Sequence, residues 1–225
     1  NKLKDIRFMI NITNEDNMEL MARYEDDFFD VAIVDPPYGL GIDGQKEVKK
    51  GKKSDRKGHK QKDWDNAIPN KEYFNELKRV SKNQIIWGAN HFIEKIPFNS
   101  PCWIVWDKEN FGKFADCELA YTSFKSAVRQ FKFKWAGFLQ GYGTANKELR
   151  IHPTQKPLDL IKYLINTYTN ENELVLDNTA GSFTTAIACL ETNRKYIVME
   201  KEKEYYNKGL KRILEWEKEQ KTKLF

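Results

Sequence analysis

The short string Asp35-Pro36-Pro37-Tyr38 places a carboxylate, a proline-stiffened carbonyl and an aromatic ring next to one another. It directly follows Val31–Val34, a fully apolar run that is typical of a central strand buried on both faces. Two prolines cannot continue a strand, so the string begins a turn at the strand's carboxyl end, where open α/β sheets bind their ligands. We interpret these residues as a candidate catalytic site. The alternative is a strand-ending turn with an incidental Asp.

The chemistry that this string suits is modification of an exocyclic amino group on a nucleobase. The lone pair of such a nitrogen is delocalised into the ring, so the amine is a poor nucleophile. Two acceptors at its hydrogens, the Asp35 carboxylate and the Pro36 carbonyl, would draw the nitrogen towards tetrahedral geometry and stabilise the positive charge that develops during attack. Tyr38 would stack on the base, a contact worth about 1–3 kcal/mol.

A second string, residues 174–182, reads Leu-Val-Leu-Asp-Asn-Thr-Ala-Gly-Ser and predicts a buried strand, a tight turn and a helix start. Small residues around Gly181 would let a ligand approach the backbone, and the N–H groups of the helix start could receive its anionic part. Asp177 ends this strand and Glu200 ends the next, where a ribose diol would be bound. For Glu200 alone, a surface acid is the alternative. With one glycine and no Lys after it, the string is neither a dinucleotide fingerprint nor a P-loop.

A third string, His152–Pro157, reads His-Pro-Thr-Gln-Lys-Pro and leads into a helix. Its two prolines fix the path of the chain, while Thr154, Gln155 and Lys156 present polar groups beside the strand that carries Asp177. A plain helix-entry loop is the alternative. His152 by itself is more typical of a packing or capping residue than of a catalytic base.

Short apolar runs alternate with helical patterns along the chain, which is the signature of βαβ units and a mostly parallel sheet. The predicted strands are Arg7–Ile12, Val31–Val34, Gln84–Trp87, Cys102–Trp106, Cys117–Phe124, Gln130–Trp135, Leu174–Leu176 and Tyr196–Met199. The predicted helices are Asn17–Tyr24, Asn70–Val80, Pro157–Tyr168, Thr184–Glu191 and Glu202–Lys218. We expect one domain over residues 1–225. Within it, residues 39–63 are rich in Gly and Lys and have little to bury, which predicts a mobile basic loop.

Basic residues are concentrated in two segments of a chain whose net charge is only +5. Residues 45–62 hold nine basic residues against two acidic ones, and residues 125–150 hold six against one. Positive charge gathered in this way indicates a polyanionic partner. A pair of solvated, lysine-rich loops is the alternative.

The composition excludes several classes of protein. A chain of 225 residues that is 40% hydrophobic can bury a sizeable core, and its apolar residues come in blocks, so global disorder is excluded. No apolar run approaches the roughly 18 residues that span a bilayer, and we expect no signal peptide. Cys102, Cys117 and Cys189 match neither a zinc spacing nor a disulfide scaffold. We therefore expect a reduced, cytoplasmic protein without a metal.

Taken in order, the three strings resemble the amino-methyltransferases of DNA, and more narrowly the permuted subgroup in which the catalytic half precedes the cofactor half. The likeness covers about Ile6 to Leu214. It implies a single Rossmann-like α/β domain with a mostly parallel sheet of seven strands, the last one antiparallel, and helices on both faces. The chain departs from the family's pattern at Asn178 and Phe183, where Pro and a second Gly are usual.

The resemblance also implies a cofactor, S-adenosylmethionine, and a set of residues around it. Asp16 and Asn17 would lie near its adenine, Asp177 beside its methionine part, and Glu200 at its ribose hydroxyls, while residues 154–156 would close over it. The implied cofactor-binding residues are Asp16, Asn17, Thr154, Gln155, Lys156, Asp177, Ala180, Gly181, Ser182 and Glu200.

The activity that the resemblance implies is direct methyl transfer to DNA, with no metal and no covalent intermediate. An Asp at the head of the catalytic string usually accompanies adenine N6 methylation in this family, whereas cytosine N4 enzymes more often carry Ser. We therefore expect a DNA adenine N6-methyltransferase. The alternatives are cytosine N4 methylation, an enzyme acting on RNA, and a nucleic-acid-binding relative without catalysis. Cytosine C5 chemistry would need a thiolate nucleophile, but Cys102 opens an apolar strand, where packing is its expected role.

A base in a duplex must be flipped out of the helix to reach Asp35. The basic loop that follows the catalytic string would fold over the neighbouring phosphates, and residues 125–150 occupy the family's target-recognition position. The candidate nucleic-acid contacts are Lys49, Lys52, Arg56, Arg129, Lys132, Lys134 and Trp135. The expected partner is double-stranded DNA, and family members often pair into homodimers.

Overall fold

Within the part of the chain that the structure describes, eight strands form one sheet and two further short strands pair with each other. The structure, a computed structural model, describes residues 11–41, 65–96, 99–110, 115–136, 139–141 and 147–223. The strands are β1 (Ile12–Thr13), β2 (Phe29–Val34), β3 (Ser81–Trp87), β4 (Trp103–Asp107), β5 (Cys117–Thr122), β6 (Arg129–Lys132), β7 (Trp135–Ala136), β8 (Leu139–Gln140), β9 (Leu174–Asp177) and β10 (Lys195–Met199). The helices are α1 (Asn17–Met21), α2 (Lys71–Val80), α3 (Leu158–Tyr168), α4 (Thr184–Glu191) and α5 (Lys203–Lys223).

The strand order in the main sheet is β1-β10-β9-β2-β3-β5-β4-β6. Every neighbouring pair is parallel except the two that involve β5, which runs antiparallel to both β3 and β4. The mostly parallel α/β sheet is confirmed. The resemblance implied seven strands with the last one antiparallel, whereas the described residues form eight strands in this sheet and the antiparallel strand is β5. The eighth strand is β6, which pairs with β4 in parallel at the edge of the sheet.

Alternating residues of the central strand β2 pack into two separate cores. Val31 and Ile33 belong to a cluster that includes apolar residues of α3, α4 and α5. Ala32 and Val34 belong to a second cluster, which includes residues of α1 and α2. Because side chains alternate between the faces of a strand, a continuous apolar run requires helices on both faces, and the structure confirms them.

Local sequence explains the boundaries of the helix α2. Asn70 is its N-cap, and the Asn70 side chain accepts a hydrogen bond of 3.0 Å from the backbone N–H of Tyr73. The buried residues Tyr73, Phe74, Leu77 and Val80 recur at helical spacing. The helix α2 therefore matches the predicted helix Asn70–Val80, and α4 matches the predicted helix Thr184–Glu191.

Other predicted elements differ at their ends or lie partly outside the described residues. The predicted strand Gln130–Trp135 is divided between β6 and β7. The helix α1 ends three residues earlier than expected, and α5 continues to Lys223. Of the predicted strand Arg7–Ile12, only residues 11 and 12 are described, and β1 is Ile12–Thr13. Most of the basic loop predicted over residues 39–63 lies outside the described part of the chain. No helix within the described ranges is long and apolar enough to span a membrane.

Candidate active site

The carboxyl ends of β2 and β9 meet at one edge of the sheet. The two strands are parallel neighbours, with Val31 opposite Val175 and Ala32 opposite Leu176. This register places Asp35, which follows β2, beside the turn that follows β9. The backbone N–H of Asp35 donates a hydrogen bond of 2.8 Å to Oγ1 of Thr179 in that turn. The first two sequence strings are therefore joined directly.

A cavity of about 780 Å³ opens at this edge, a volume within the range of small-molecule sites. It draws residues from all three strings. The predicted site residues that line it are Asp16, Asn17, Asp35, Pro37, Thr154, Gln155, Lys156, Asp177, Ala180, Gly181, Ser182 and Glu200. Of the remaining two residues of the catalytic string, Pro36 is buried and Tyr38 is half-buried.

Both oxygens of the Asp35 carboxylate accept hydrogen bonds. The Tyr38 hydroxyl donates to Oδ1 and the Lys156 ammonium donates to Oδ2, each at 2.5 Å. Nζ of Lys156 also lies 3.2 Å from Oε2 of Glu118, on the antiparallel strand β5. Glu118 in turn forms an ion pair with Lys108. The result is a chain of four alternating charges that ends on the candidate catalytic carboxylate.

Burial and neighbouring charge act in opposite directions on these groups. Burial raises the pKa of Asp35, and the Lys156 ammonium opposes that rise without cancelling it. Burial alone would lower the pKa of Lys156, but the carboxylates of Asp35 and Glu118 raise it above its ordinary value. For Glu118, the two lysines outweigh the effect of burial and lower its pKa. Lys156 and Glu118 are therefore held in their charged forms.

The ring of Tyr38 is fixed by close packing. It lies directly against Gly88, whose φ is +67°, and a Cβ at that position would lie only 2.0 Å from Cε1 of Tyr38. The ring also stacks on His91, with centroids 4.9 Å apart and planes 15° from parallel. Stacking of a base on Tyr38 stays a prediction, and His91 is the residue that now occupies such a position.

Asp65 holds the backbone of the catalytic string in place. Its Oδ1 accepts hydrogen bonds from the N–H groups of Tyr38, at 2.8 Å, and Gly39, at 2.9 Å. The backbone carbonyl of Asp65 also accepts from the N–H of Gly41 at 3.2 Å. Asp65 is only 1% exposed, so these bonds are shielded from competing water.

Hydroxyl and N–H groups surround the second carboxylate, that of Asp177. Thr185 at the start of α4 donates to Oδ2 at 2.5 Å, and the Thr179 N–H donates to Oδ1 at 3.1 Å. Burial raises the pKa of Asp177 to about 7, and the nearby carboxylates of Asp35 and Glu200 act in the same direction. Asp177 is therefore a group that a cationic ligand would convert to its charged form.

The turn after β9 is tight, and Glu200 stabilises it by accepting a hydrogen bond from its backbone. Gly181 has a φ of +50°, and a Cβ there would lie 3.2 Å from the ring of His152. The Gly181 N–H donates to Oε2 of Glu200 at 2.9 Å, and the Glu202 N–H donates to Oε1 at 2.7 Å. Glu200 thus shapes the turn as well as lining the cavity.

The two departures from the family's pattern have local explanations. Phe183 takes the left-handed conformation that Gly would adopt, with a φ of +60°, at a cost of about 1–2 kcal/mol. Its ring is fully buried and packs directly on Gly209 of α5, which offsets that cost. Asn178 is buried, accepting a hydrogen bond of 2.8 Å from the Tyr73 hydroxyl. The strand–turn–helix therefore forms without Pro or a second Gly.

The loop of the third string connects the cavity to the segment after β6. The indole N–H of Trp135 donates to the backbone carbonyl of Gln155 at 3.1 Å, and Trp135 is only 7% exposed. The ring of Trp135 also lies 6.2 Å from that of Phe133, centroid to centroid. A contact of this buried side chain with nucleic acid stays a prediction. His152 packs on Tyr205, as expected of a structural histidine.

Of the other predicted nucleic-acid contacts, the structure describes three, which lie on or just after the edge strand β6. Arg129 and Lys132 are exposed at opposite ends of β6, with Lys132 at the carboxyl end, and Lys134 is half-buried just beyond it. Lys49, Lys52 and Arg56 lie outside the described residues.

Two further groups bear on alternative chemistries. Cys102 is fully buried, 3.6 Å from the hydroxyl of Tyr168, and does not line the cavity. It therefore offers no nucleophile there. The described part of the chain also contains no group of three His, Cys, Asp or Glu residues that could hold a metal ion.

Sequence reasoning missed Glu118, Asp65 and His91. The sequence predicted the strand Cys117–Phe124, but nothing in its pattern indicated that Glu118 would contact Lys156. Asp65 ends a long basic segment and His91 follows a strand, and neither belongs to a recognisable string.

The profile of the N6/N4 DNA methylase family matches residues 99–211, slightly more than half of the chain. The chain belongs to this family of DNA methylases. The type II methyltransferase M2.MboI of Moraxella bovis is 27% identical to it, over 91% of this chain and 88% of that protein. The DNA adenine methyltransferase YhdJ of Escherichia coli (strain K12) is 44% identical, but over 66 residues, or 29% of this chain and 22% of that protein.

A solved structure confirms the fold of the methylase. The crystal structure of the M1.HpyAVI–SAM complex superposes with a TM-score of 0.57 and 24% sequence identity, covering 90% of this chain and 98% of that one. The similarity therefore extends over nearly the whole methylase.

Proposed function

We propose that this methylase is a DNA adenine N6-methyltransferase that uses S-adenosylmethionine. The observation that supports this most directly is one cavity in which Asp35 faces the carboxylates Asp177 and Glu200 at the carboxyl edge of the sheet. The end of the cavity at Asp35 suits the amine that would accept the methyl group. The end at Asp177 and Glu200 suits a cofactor that carries a positive charge and a ribose.

The cavity residues fit this cofactor. Bound S-adenosylmethionine supplies an electrophilic methyl group on a positively charged sulfonium. Asp177, buried next to a tight turn, offers a carboxylate to the positive charge of the methionine part, and Glu200 offers one to the ribose hydroxyls. Asp16, whose side chain accepts from the Met18 N–H and pairs with Lys201, and Asn17 would lie at the adenine.

The residues of the chain activate the amine and leave the base otherwise unchanged. The Asp35 carboxylate and the Pro36 carbonyl accept hydrogen bonds from the two N–H groups of the exocyclic amine. These bonds localise the nitrogen lone pair and stabilise the positive charge that grows on nitrogen during attack. The burial of this region keeps competing water away from the acceptors, which strengthens the effect.

Adenine is favoured over cytosine by two observations. The catalytic string begins with Asp35, and the relative YhdJ, named as an adenine methyltransferase, matches part of the chain at 44% identity. The family includes enzymes that modify the N4 amine of cytosine, which the same acceptors would activate. The proposal commits to adenine in double-stranded DNA, flipped out of the duplex, and to a modification role like that of type II relatives.

The direct test is nucleoside mass spectrometry of DNA after incubation with the protein and S-adenosylmethionine. We expect N6-methyladenine, with no signal above background when Asp35→Ala replaces the wild type. N4-methylcytosine without N6-methyladenine would reassign the substrate to cytosine. Preferential methylation of RNA in a competition between the two polymers would reassign it to RNA. Binding of DNA without any methyl transfer would leave the non-catalytic alternative.

A further inference from the structure

We propose that Lys156 and Glu118 are positioning residues for the catalytic carboxylate: Lys156, itself held by Glu118, keeps Asp35 ionised and fixed in one orientation. This inference rests on the proposed function, because it concerns how Asp35 is prepared for its role. It also changes the role implied for Lys156, from closing over the cofactor to acting on Asp35.

Three separate elements bring these side chains together. Asp35 follows β2, Glu118 lies on β5, and Lys156 lies in the loop before α3. Nζ of Lys156 is 2.5 Å from Oδ2 of Asp35 and 3.2 Å from Oε2 of Glu118. The Lys156 side chain is only 8% exposed, against 18% for Asp35 and 22% for Glu118. A buried ammonium costs several kcal/mol unless it is paired, and the carboxylates of Asp35 and Glu118 both pair with Lys156, with Asp35 the closer of the two.

Aromatic rings restrict where the ammonium can go. Nζ lies 5.6 Å from the centroid of the Trp87 ring and 5.9 Å from that of Tyr38. These cation–π distances place the charge in a pocket between the two rings and the two carboxylates. Lys156 therefore has little freedom to leave Asp35 for solvent.

The other ionisable groups that face Asp35 include acids that oppose its ionisation and one hydroxyl that favours it. Glu118 from β5 and Asp177 from β9 bring negative charge, and Tyr73 of α2 lies close enough to interact. The Tyr38 hydroxyl, in the same turn, donates a hydrogen bond that supports the charged form. Lys156 is the cation that balances the nearby acids.

An ionised Asp35 matters because only the carboxylate accepts hydrogen bonds with both oxygens and stabilises a positive charge. A protonated Asp35 would offer a donor to the amine and would lose most of the electrostatic effect. If the pairs with Lys156 and Glu118 were purely structural, their removal would lower stability and leave the titration of Asp35 unchanged.

The test compares the pH dependence of single-turnover methyl transfer, at saturating cofactor and DNA, in three variants. In Lys156→Met, the acid limb of the rate should move to higher pH by about one unit or more, because an opposite charge nearby lowers the pKa of an Asp by about that amount. In Glu118→Gln, loss of a negative charge should move it to lower pH. Lys156→Arg keeps the charge and should restore most of the wild-type profile. The dissociation constant of S-adenosylmethionine should stay within about twofold throughout.

A second measurement follows Asp35 without turnover. Carbon-13 NMR of protein labelled at the Asp carboxyl carbons, with Asp35→Asn to assign the signal, reports its titration directly. We expect the Asp35 titration to move to higher pH in Lys156→Met and to lower pH in Glu118→Gln. The inference would be overturned if the titration of Asp35 were the same in these variants as in the wild type. It would also be overturned if Lys156→Met lost affinity for the cofactor and kept the wild-type pH profile of methyl transfer. Absence of methyl transfer by the wild type would overturn the proposed function instead, and the NMR result would still decide this inference.

Discussion

Two buried carboxylates lie at the same edge of the sheet, and their surroundings give them different properties. Asp35 has an ammonium at 2.5 Å, whereas the donors to Asp177 from the described residues are hydroxyl and N–H groups. Opposite charge favours ionisation more strongly than neutral donors do at comparable burial. With a pKa of about 7, Asp177 is partly protonated near neutral pH, whereas the Lys156 ammonium favours the charged form of Asp35.

The first prediction concerns the pH dependence of cofactor binding. The pKa of Asp177 is about 7, above its ordinary value, so the side chain is protonated below that pH in the free protein and must lose the proton to pair with a cation. As the pH is raised towards 7, the affinity for S-adenosylmethionine should increase by up to about tenfold per pH unit, and above pH 7 it should become constant. Calorimetry in two buffers of different ionisation enthalpy should detect a proton released on binding at pH 6.

The matched control for that experiment is Asp177→Asn. It keeps the shape of the side chain and removes the titrating group, so its affinity should be lower and independent of pH. A wild-type affinity that does not vary between pH 5.5 and pH 8 would show that Asp177 does not pair with the cofactor.

At the scale of residues, the sequence predicted what lies within a contiguous string. Asp35, Asp177 and Glu200 were all found because each ends an apolar strand. Glu118 and Asp65 act through contacts with residues far along the chain, at Lys156 and Tyr38. The position of such partners depends on how the strands are ordered, which local pattern does not encode.

At the scale of elements, the turn after β2 depends on one side chain from outside it. Replacing Asp65 by Ala would leave the N–H groups of Tyr38 and Gly39 without their acceptor, which costs about 1–3 kcal/mol when the groups are buried. We expect Asp65→Ala to lower the midpoint of thermal unfolding and to reduce kcat, with the dissociation constant of the cofactor changed less than about twofold. Asp65→Asn, which keeps an oxygen acceptor, should retain most of both. An unchanged kcat in Asp65→Ala would mean that the turn is held by other contacts.

Elements with a clear period were predicted well, and the differences have physical causes. The helix α2 matches because Asn70 caps it and its apolar residues follow the helical period. The predicted strand Gln130–Trp135 is divided because its first part pairs with the edge of β4 while Trp135 turns away to bond Gln155. Whether this segment pairs with β4 or contacts Gln155 depends on tertiary structure, which local sequence does not determine.

At the scale of the whole molecule, one end of the sheet carries the candidate surface for DNA. The strand β6 lies four strands from β2, or roughly 19 Å at about 4.8 Å per strand, which is comparable to the width of a duplex. A base flipped into the cavity would therefore leave the flanking phosphates within reach of Lys132 and Lys134.

The corresponding prediction is a change in the salt dependence of DNA binding. The double variant Lys132→Ala/Lys134→Ala should bind DNA more weakly and reduce the slope of log K against log salt by about 2, since each phosphate contact contributes about 0.9. The control, Lys82→Ala/Lys195→Ala, removes the same charge at the amino ends of β3 and β10, away from the cavity. Equal effects of the two variants on the slope would argue against a defined DNA surface at β6.

The sequence predicted the fold class of the molecule but not the order of its strands. Alternating strands and helices indicated a mostly parallel sheet with two covered faces, which the two cores around β2 confirm. The resemblance to the family implied seven strands, whereas the residue pattern predicted a strand over Gln130–Trp135, and β6 (Arg129–Lys132) forms over the first part of it. It joins the sheet because the outer edge of β4 offers unpaired backbone groups.

The most direct test of the central claim is single-turnover methyl transfer by Asp35→Asn, with cofactor affinity measured on the same sample. Asn keeps the size of the side chain and removes the negative charge that stabilises the amine in the transition state. We predict a fall in rate of at least about 100-fold, with the dissociation constant of S-adenosylmethionine changed less than about threefold. A variant that transfers methyl groups at close to the wild-type rate would contradict the claim that the Asp35 carboxylate activates the amine.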